Sequence, residues 1–373
     1  MKVTIAIDSF KGSLDSISAG KAAADGVLRA FPNAKCDVYP LADGGEGTVE
    51  ALVSGMAGTL HKVNVTGPNG KQVIATYGIL PGNIAVMEMA QAAGITLLSE
   101  SERNPLTTTT RGVGEMILDA ASKGVKKIIM GIGGSATNDA GAGMLQALGW
   151  RLLDDKGNEL APGGAQLANL ATIIPPPSES LPEISMRIAC DVTNPLCGIK
   201  GASAVYGPQK GASPADVTLL DNALNHFASL SQGESDAPGA GAAGGLGYAL
   251  KTFLKGELVP GVDLVIEEIK LEKAIVDADV VITGEGRLDG QTVMGKAPIG
   301  VARLAKKYGK RVIAFAGCVG DGVEAVNTAG IDAFFPILRR VTTLEEAMAT
   351  GTAAANLTSS AEQAFRLLGT ALN

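Results

Sequence analysis

Short apolar runs, each emptying into a polar or glycine-rich loop, recur along the chain. VTIAI at 3–7 is the first, and it ends at DSFKG, residues 8–12. Runs this short and this rich in β-branched residues predict strands. Ser16 or Ser18 can cap a helix that the spacing carries to about Phe31. Residues 37–41 read as a second strand, ending at ADGGEGT (42–48), and 49–55 as a second helix. The same order returns late in the chain. VVI at 280–282 predicts a strand, followed by a polar loop with Glu285, Arg287, Asp289 and Lys296. A helix over 299–308 and strands over 312–316 and 333–338 come next, with a terminal helix over about 343–372. Strand, loop, helix, strand is the βαβ unit of an open parallel sheet. Ligands of such sheets bind outside the strands' carboxyl ends, where Asp8, Asp43 and the loop after 282 belong.

Between these parts the pattern changes. Residues 59–66, 72–79 and 84–89 are three β-type runs separated by GPNG (67–70) and PGN (81–83), which predicts an antiparallel meander. Thr110 can cap a helix to about 123, and 126–130 predicts a strand that runs into GIGGSATNDAGAGM, 131–144. Residues 156–185 are rich in Pro and Gly and read as a surface excursion. Residues 186–190 predict a strand ending at Asp191, and 215–230 a helix. Residues 233–237 look like a polar hinge before PGAGAAGGLG (238–247), whose small residues imply close backbone approach to a ligand or another element. The expected fold class is α/β with two domains. Residues 1–58 plus 260–373 form a discontinuous Rossmann- or flavodoxin-like parallel-sheet domain, and 59–259 an inserted mixed α/β domain.

Composition narrows the function. A length of 373 residues suits two domains with real cores. The net charge of −7 argues against nucleic acid and anionic membrane as partners. Cys36, Cys190, Cys197 and Cys318 show no CxxC spacing, and His61 and His226 are the two histidines. That argues against a zinc site and against Ser-His-Asp or Cys-His hydrolases. The N-terminus starts directly on a strand pattern, and no apolar run reaches the ~18 residues of a membrane helix, so a cytoplasmic protein is expected.

Several loops carry candidate chemistry. GQTVMGKA at 290–297 approaches a P-loop but has Ala297 where the Mg2+-binding hydroxyl belongs. Pro298 follows, and the predicted strand stops well before Gly290, so a P-loop is rejected. Gly131, Gly133 and Ala136 only approximate a dinucleotide fingerprint. The acid expected ~20 residues on is missing, since Asp154 and Asp155 sit in a turn. The same loop can still cradle a phosphate through backbone amides, with Ser135 and Thr137 as hydroxyl donors. TTTTR at 107–111 offers a second anion site or a plain helix cap. An Asx turn accounts for Asp8 as well as chemistry does.

DSFKGSL (8–14), ADGGEGT, TGPNG (66–70), GIGGSATNDAGAGM, ACDVTNPLCG (189–198), GPQKGA (207–212), PGAGAAGGLG and TGEGRLDGQTVMGKAPIGVA (283–302) together resemble the bacterial type I glycerate kinases. The similarity runs from residue 1 to about 340. It implies ATP-dependent phosphorylation of D-glycerate, for most members to 2-phosphoglycerate, and two α/β domains of which one is an insertion.

Chemistry then distributes the roles of an in-line phosphoryl transfer in the cleft between the domains. Gly133, Gly134, Ser135, Thr137 and Asn138 are expected to hold ATP phosphates. Lys11, Lys210, Arg287 and Lys296 are the cations for the transferred phosphoryl and the glycerate carboxylate, with Arg287 first choice for the carboxylate. Asp191 is the preferred base, and Asp8 fits the same role. Asp43 and Asp289 are the candidates for Mg2+. A nicotinamide oxidoreductase and a non-catalytic metabolite sensor are the rival readings. The missing fingerprint acid counts against the first, and the acids placed after strands count against the second.

Overall fold

The computed structural model describes residues 1–177 and 183–372. The chain divides into two α/β units. The first comprises Met1–Asp43, Glu50–Ala57 and Val262–Asn373, and the second Gly44–Val49 and Gly58–Gly261.

The first unit begins with β1 (Lys2–Ile7), the helix Ser16–Ala30 and β2 (Lys35–Pro40). Asp15 caps that helix, in place of the serines the spacing suggested. Its carboxylate accepts the Ser18 N–H at 2.8 Å. Ser16 is drawn inward instead. Its hydroxyl donates to the Ile7 carbonyl at 2.7 Å and accepts the Leu41 N–H at 2.8 Å, which ties together the ends of β1 and β2. A buried hydroxyl must find partners, and a core contact here outweighs a cap that Asp15 can supply.

The second unit opens on the meander β3 (Thr59–Thr66), β4 (Gln72–Leu80) and β5 (Ile84–Glu88), antiparallel throughout as its turn residues predict. β6 (Lys127–Gly131) follows, then the hairpin of β7 (Arg151–Leu153) and β8 (Thr172–Ile174), then β9 (Ser185–Ala189) and β10 (Glu257–Val259). The main sheet has the order β10-β9-β6-β5-β4-β3 and is parallel from β5 to β10. Its core includes Tyr77, Met87, Met130, Phe227 and Tyr248. The 156–185 stretch is less peripheral than its composition suggests. Leu160, Leu167 and Leu170 are buried in that core; residues 178–182 lie outside the described residues. Residues 233–237 are pinned, contrary to the expected hinge. The Gly233 N–H donates to the Tyr248 hydroxyl at 3.0 Å, and the Ser235 carbonyl accepts the Leu196 N–H at 2.8 Å.

The chain then completes the first unit with β11 (Val280–Leu288), β12 (Arg311–Val319) and β13 (Ala333–Pro336). All five strands are parallel, in the order β13-β12-β11-β1-β2. Counted within the unit this is 2-1-3-4-5, the flavodoxin-like order, whose switch point lies between β1 and β11. The helices Ser16–Ala30 and Thr350–Leu372 pack closely because Gly26 has no side chain. A Cβ there would sit 2.2 Å from the Thr358 carbonyl oxygen. The expected terminal helix is two helices, Leu344–Met348 and Thr350–Leu372.

β11 is longer than its apolar run. Its ladder with β12 continues to Leu288 opposite Val319. Ladder hydrogen bonds belong to the backbone, so a polar residue such as Glu285 does not end a strand whose neighbour continues alongside.

Candidate active site

The extra residues of β11 carry Glu285 and Arg287 to the carboxyl end of the first unit's sheet. A cavity of about 450 Å³ opens there, formed wholly by first-unit residues. Asp8, Lys11, Asp43, Glu285, Arg287 and Lys296 form its polar part. Phe10, Ile337, Leu338, Leu344 and Met348 form an apolar part.

Asp8 is held at the switch point. Its N–H donates to the Gly284 carbonyl at 2.9 Å, and its carboxylate accepts the Ser9 N–H at 2.6 Å. Burial, and then the negative charges of Asp43 and Glu285, push its pKa from 3.8 up to about 7, against the pull of the Ser9 N–H and Lys11. Glu285 is also raised, chiefly by burial, although the Thr292 hydroxyl donates to it at 2.8 Å and Lys296 lies 3.8 Å away. Three carboxylates therefore face three cations in one cavity. A carboxyl group that titrates near neutrality is suited to accept a proton during catalysis.

Asp289 does not fit its expected metal role. Its carboxylate lies 3.3 Å from Arg287 Nε and 3.9 Å from Lys296 Nζ, and it accepts the Gln291 N–H at 3.0 Å. With its charge balanced by these cations, it orients them and has little to offer a dication. Asp43, beside the mutually repelling Asp8 and Glu285, is the better match. Among the described residues no group of three or more metal-ligating side chains stands ready as a cage. Mg2+ commonly takes only one or two carboxylates and completes its shell with phosphate and water, so this donor set fits it.

β11 ends at Leu288, close to Gly290, so the spacing argument against a P-loop fails. The missing hydroxyl at Ala297 and Pro298 in the first turn of the helix Ala297–Lys307 still stand against one. Lys296 is the N-cap residue of that helix, and its amine is directed to Glu285 and Asp289.

The remaining predicted residues belong to the second unit. Asp191 follows β9, is exposed, and accepts the Gly261 N–H at 2.9 Å. Lys210 is not available to a substrate as expected. It is 1% exposed, and its Nζ donates to the Thr137 carbonyl at 2.6 Å. Burial lowers its pKa to about 7, with Asp139 acting in the opposite direction.

Burial divides the expected residues of the glycine-rich loop. Thr137 and Asn138 are fully buried and Ser135 nearly so; Asn138 Nδ2 donates to the Ser203 hydroxyl at 2.9 Å. Gly133 and Gly134 remain exposed. The cause is the helix Ala242–Leu254, whose start presses on the loop. The Ala140 N–H donates to the Gly244 carbonyl at 3.0 Å, and a Cβ on Gly244 would sit 2.0 Å from the Thr137 oxygen. The close approach implied by the small residues is therefore to this loop. Asp139, fully buried, gathers N–H groups from the far end of the loop and from Thr110. It accepts from Gly141 and Gly143 at 3.2 Å, and from the Thr110 N–H and hydroxyl at 2.8 and 2.9 Å. This also explains why Thr110 does not cap its helix. Arg111, the other half of that proposed anion site, pairs with Glu115.

A flavodoxin-order sheet with a cavity of carboxylates and cations at its switch point, its chain interrupted by a mixed α/β unit, defines a two-unit α/β protein. Residues 3–369 match the profile of the glycerate kinase family. The chain is 49% identical to glycerate kinase from Halalkalibacterium halodurans, covering 94% of each chain. It is 49% identical to glycerate 2-kinase from Escherichia coli, covering 93% of each. A crystal structure from Salmonella typhimurium LT2, provisionally assigned as glycerate kinase 2, superposes with a TM-score of 0.91 at 45% identity, over 100% of this chain and 99% of that one. The chain belongs to the glycerate kinase family and is an enzyme of the kinase class.

Proposed function

We propose that the protein transfers the γ-phosphoryl group of ATP to a hydroxyl of D-glycerate, giving 2-phosphoglycerate. The carrying observation is Asp8, held near neutrality beside Lys11, Arg287 and Lys296 in one cavity. The name of the Escherichia coli relative supports the 2-position. Arg287 grips the glycerate carboxylate through its guanidinium fork, while Asp289 steadies its Nε. Asp8 takes the hydroxyl proton as the oxygen attacks phosphorus. The new O–P bond forms as the β–γ bridging bond breaks, and ADP departs. Lys11 and Lys296 offset charge on the transferred group. Asp43 would hold Mg2+, which supplies further charge neutralisation at the phosphates. Asp8 replaces Asp191 as preferred base, because its surroundings raise its pKa and the cations share its cavity. No helix among the described residues is long and apolar enough to cross a membrane; we place the reaction in the cytoplasm, where ATP is supplied.

The test is ADP release from ATP and Mg2+ with and without D-glycerate, the product being identified by phosphorus NMR. Release that depends on D-glycerate and yields the 2-phosphate supports the proposal. Release of the 3-phosphate corrects the position. Absence of release from folded, ATP-binding protein overturns it.

A further inference from the structure

We infer that the apolar part of the first unit's cavity is the subsite for the adenine base of ATP. The base rests against Ile337, Leu338, Leu344 and Met348, with the phosphates directed to Lys11 and Lys296. The inference rests on the kinase reading and adds to it where the nucleotide lies.

The cavity is mismatched to D-glycerate alone. A three-carbon hydroxy acid is polar at every carbon and fills a small part of about 450 Å³. The polar residues described above already supply its partners. The rest of the lining includes large apolar side chains, which gain little from a small anion and much from a flat heterocycle.

That wall is built to stay open. Leu344 is 75% exposed and Leu338 43% exposed, on a short helix and on the segment just after β13. The helix Leu344–Met348 buries none of its own residues. It is nevertheless anchored at both ends. The Thr343 hydroxyl accepts the Glu346 N–H at 3.2 Å, and the Thr350 hydroxyl donates to the Ser13 carbonyl at 3.0 Å. Met348 lies directly over Gly12, where a Cβ would come within 2.8 Å of its terminal methyl. The apolar wall thus adjoins the loop that carries Lys11. Apolar surface and cations lining one cavity match the two chemistries of a nucleoside polyphosphate, its base and its phosphates.

The second unit points the same way. Of the residues expected to hold phosphate there, Ser135, Thr137 and Asn138 are buried, and Asp139 takes the Gly141 and Gly143 amides further along the loop. The first unit's cavity, by contrast, retains both cations and apolar surface.

Leu344→Glu and Leu338→Glu place a carboxylate on the base wall, each from an exposed position on a different element. Either one keeps the test alive if the other disturbs folding, which thermal unfolding will show. The readout is the Kd of N-methylanthraniloyl-ADP, measured by fluorescence, and its displacement by adenosine. The expected result is displacement by adenosine in the wild type and a Kd raised about tenfold or more in both folded variants. Unchanged Kd in both variants, or failure of adenosine to displace the label, overturns the inference. The two readings fail separately. Glycerate-dependent ADP release with unchanged Kd leaves the kinase and removes this subsite. Weakened nucleotide binding in the variants, with no glycerate-dependent release in the wild type, supports the subsite and removes the proposed acceptor.

Discussion

Asp8→Asn takes one charge from a wall that holds three carboxylates, and its effects on stability and turnover run in opposite directions. Burial, followed by repulsion from Asp43, raises the Asp8 pKa from 3.8 to about 7. The folded protein then holds that proton more tightly than the unfolded chain does. The stability linked to it is fully present below the unfolded value of 3.8 and is lost as pH rises through about 7. The shift is 7 − 3.8, about three units. At about 1.4 kcal/mol per unit, ionised Asp8 costs the fold up to about 4 kcal/mol at pH ~8. Asparagine keeps an oxygen for the Ser9 N–H and carries no charge. The variant should therefore match the wild type near pH ~4 and melt several degrees higher near pH ~8, at about 2–4 °C per kcal/mol. It cannot accept a proton, so turnover should fall by about 10²–10⁴. Thermal unfolding at the two pH values, with ADP release under saturating ATP and D-glycerate, reads both effects. Wild-type kcat/KM should climb to a plateau above pH ~7, and the variant should lose that limb. Asp191→Asn should retain it. Turnover within about threefold of wild type, or a lower melting point near pH ~8, would refute the reasoning.

Arg287→Lys keeps the charge but not the planar fork, so KM for D-glycerate should rise by about tenfold; unchanged KM and kcat would remove Arg287 from the carboxylate. Gly244→Ala combines a φ of +68° with a Cβ only 2.0 Å from the Thr137 oxygen. It should cost about 2 kcal/mol or more in denaturant unfolding, and an unshifted midpoint would show that the contact yields. The Lys210 pKa is lowered from 10.5 to about 7, mainly by burial. The stability tied to its neutral form is full above 10.5 and lost as pH falls toward about 7. Wild type should gain stability relative to Lys210→Met between pH ~7.5 and ~9.5, and a constant difference across that range would count against a buried amine.

What could be read in advance lies within a few residues of chain. The meander β3–β5 is set by its own turns and alternation. The helix Pro214–Ser231 begins at a Ser213 capping box, visible as local spacing. Strand-end placement of Asp8, Asp43 and Asp191 follows from apolar runs stopping at those residues, and the long motifs already resembled one family. Tertiary structure decided the rest. β11 outlasts its apolar run because β12, more than twenty residues on, supplies the ladder. Thr137 and Asn138 look like surface donors until the helix Ala242–Leu254 closes over their loop, and Lys210 does until its amine is buried against the Thr137 carbonyl. Nothing near residue 8 distinguishes Asp8 from Asp191, because its raised pKa comes from burial and from Asp43 and Glu285, one of them almost three hundred residues away. Turns, caps and strand periods depend on neighbours along the chain. Burial and electrostatic potential are sums over neighbours in space, and only folding brings those together.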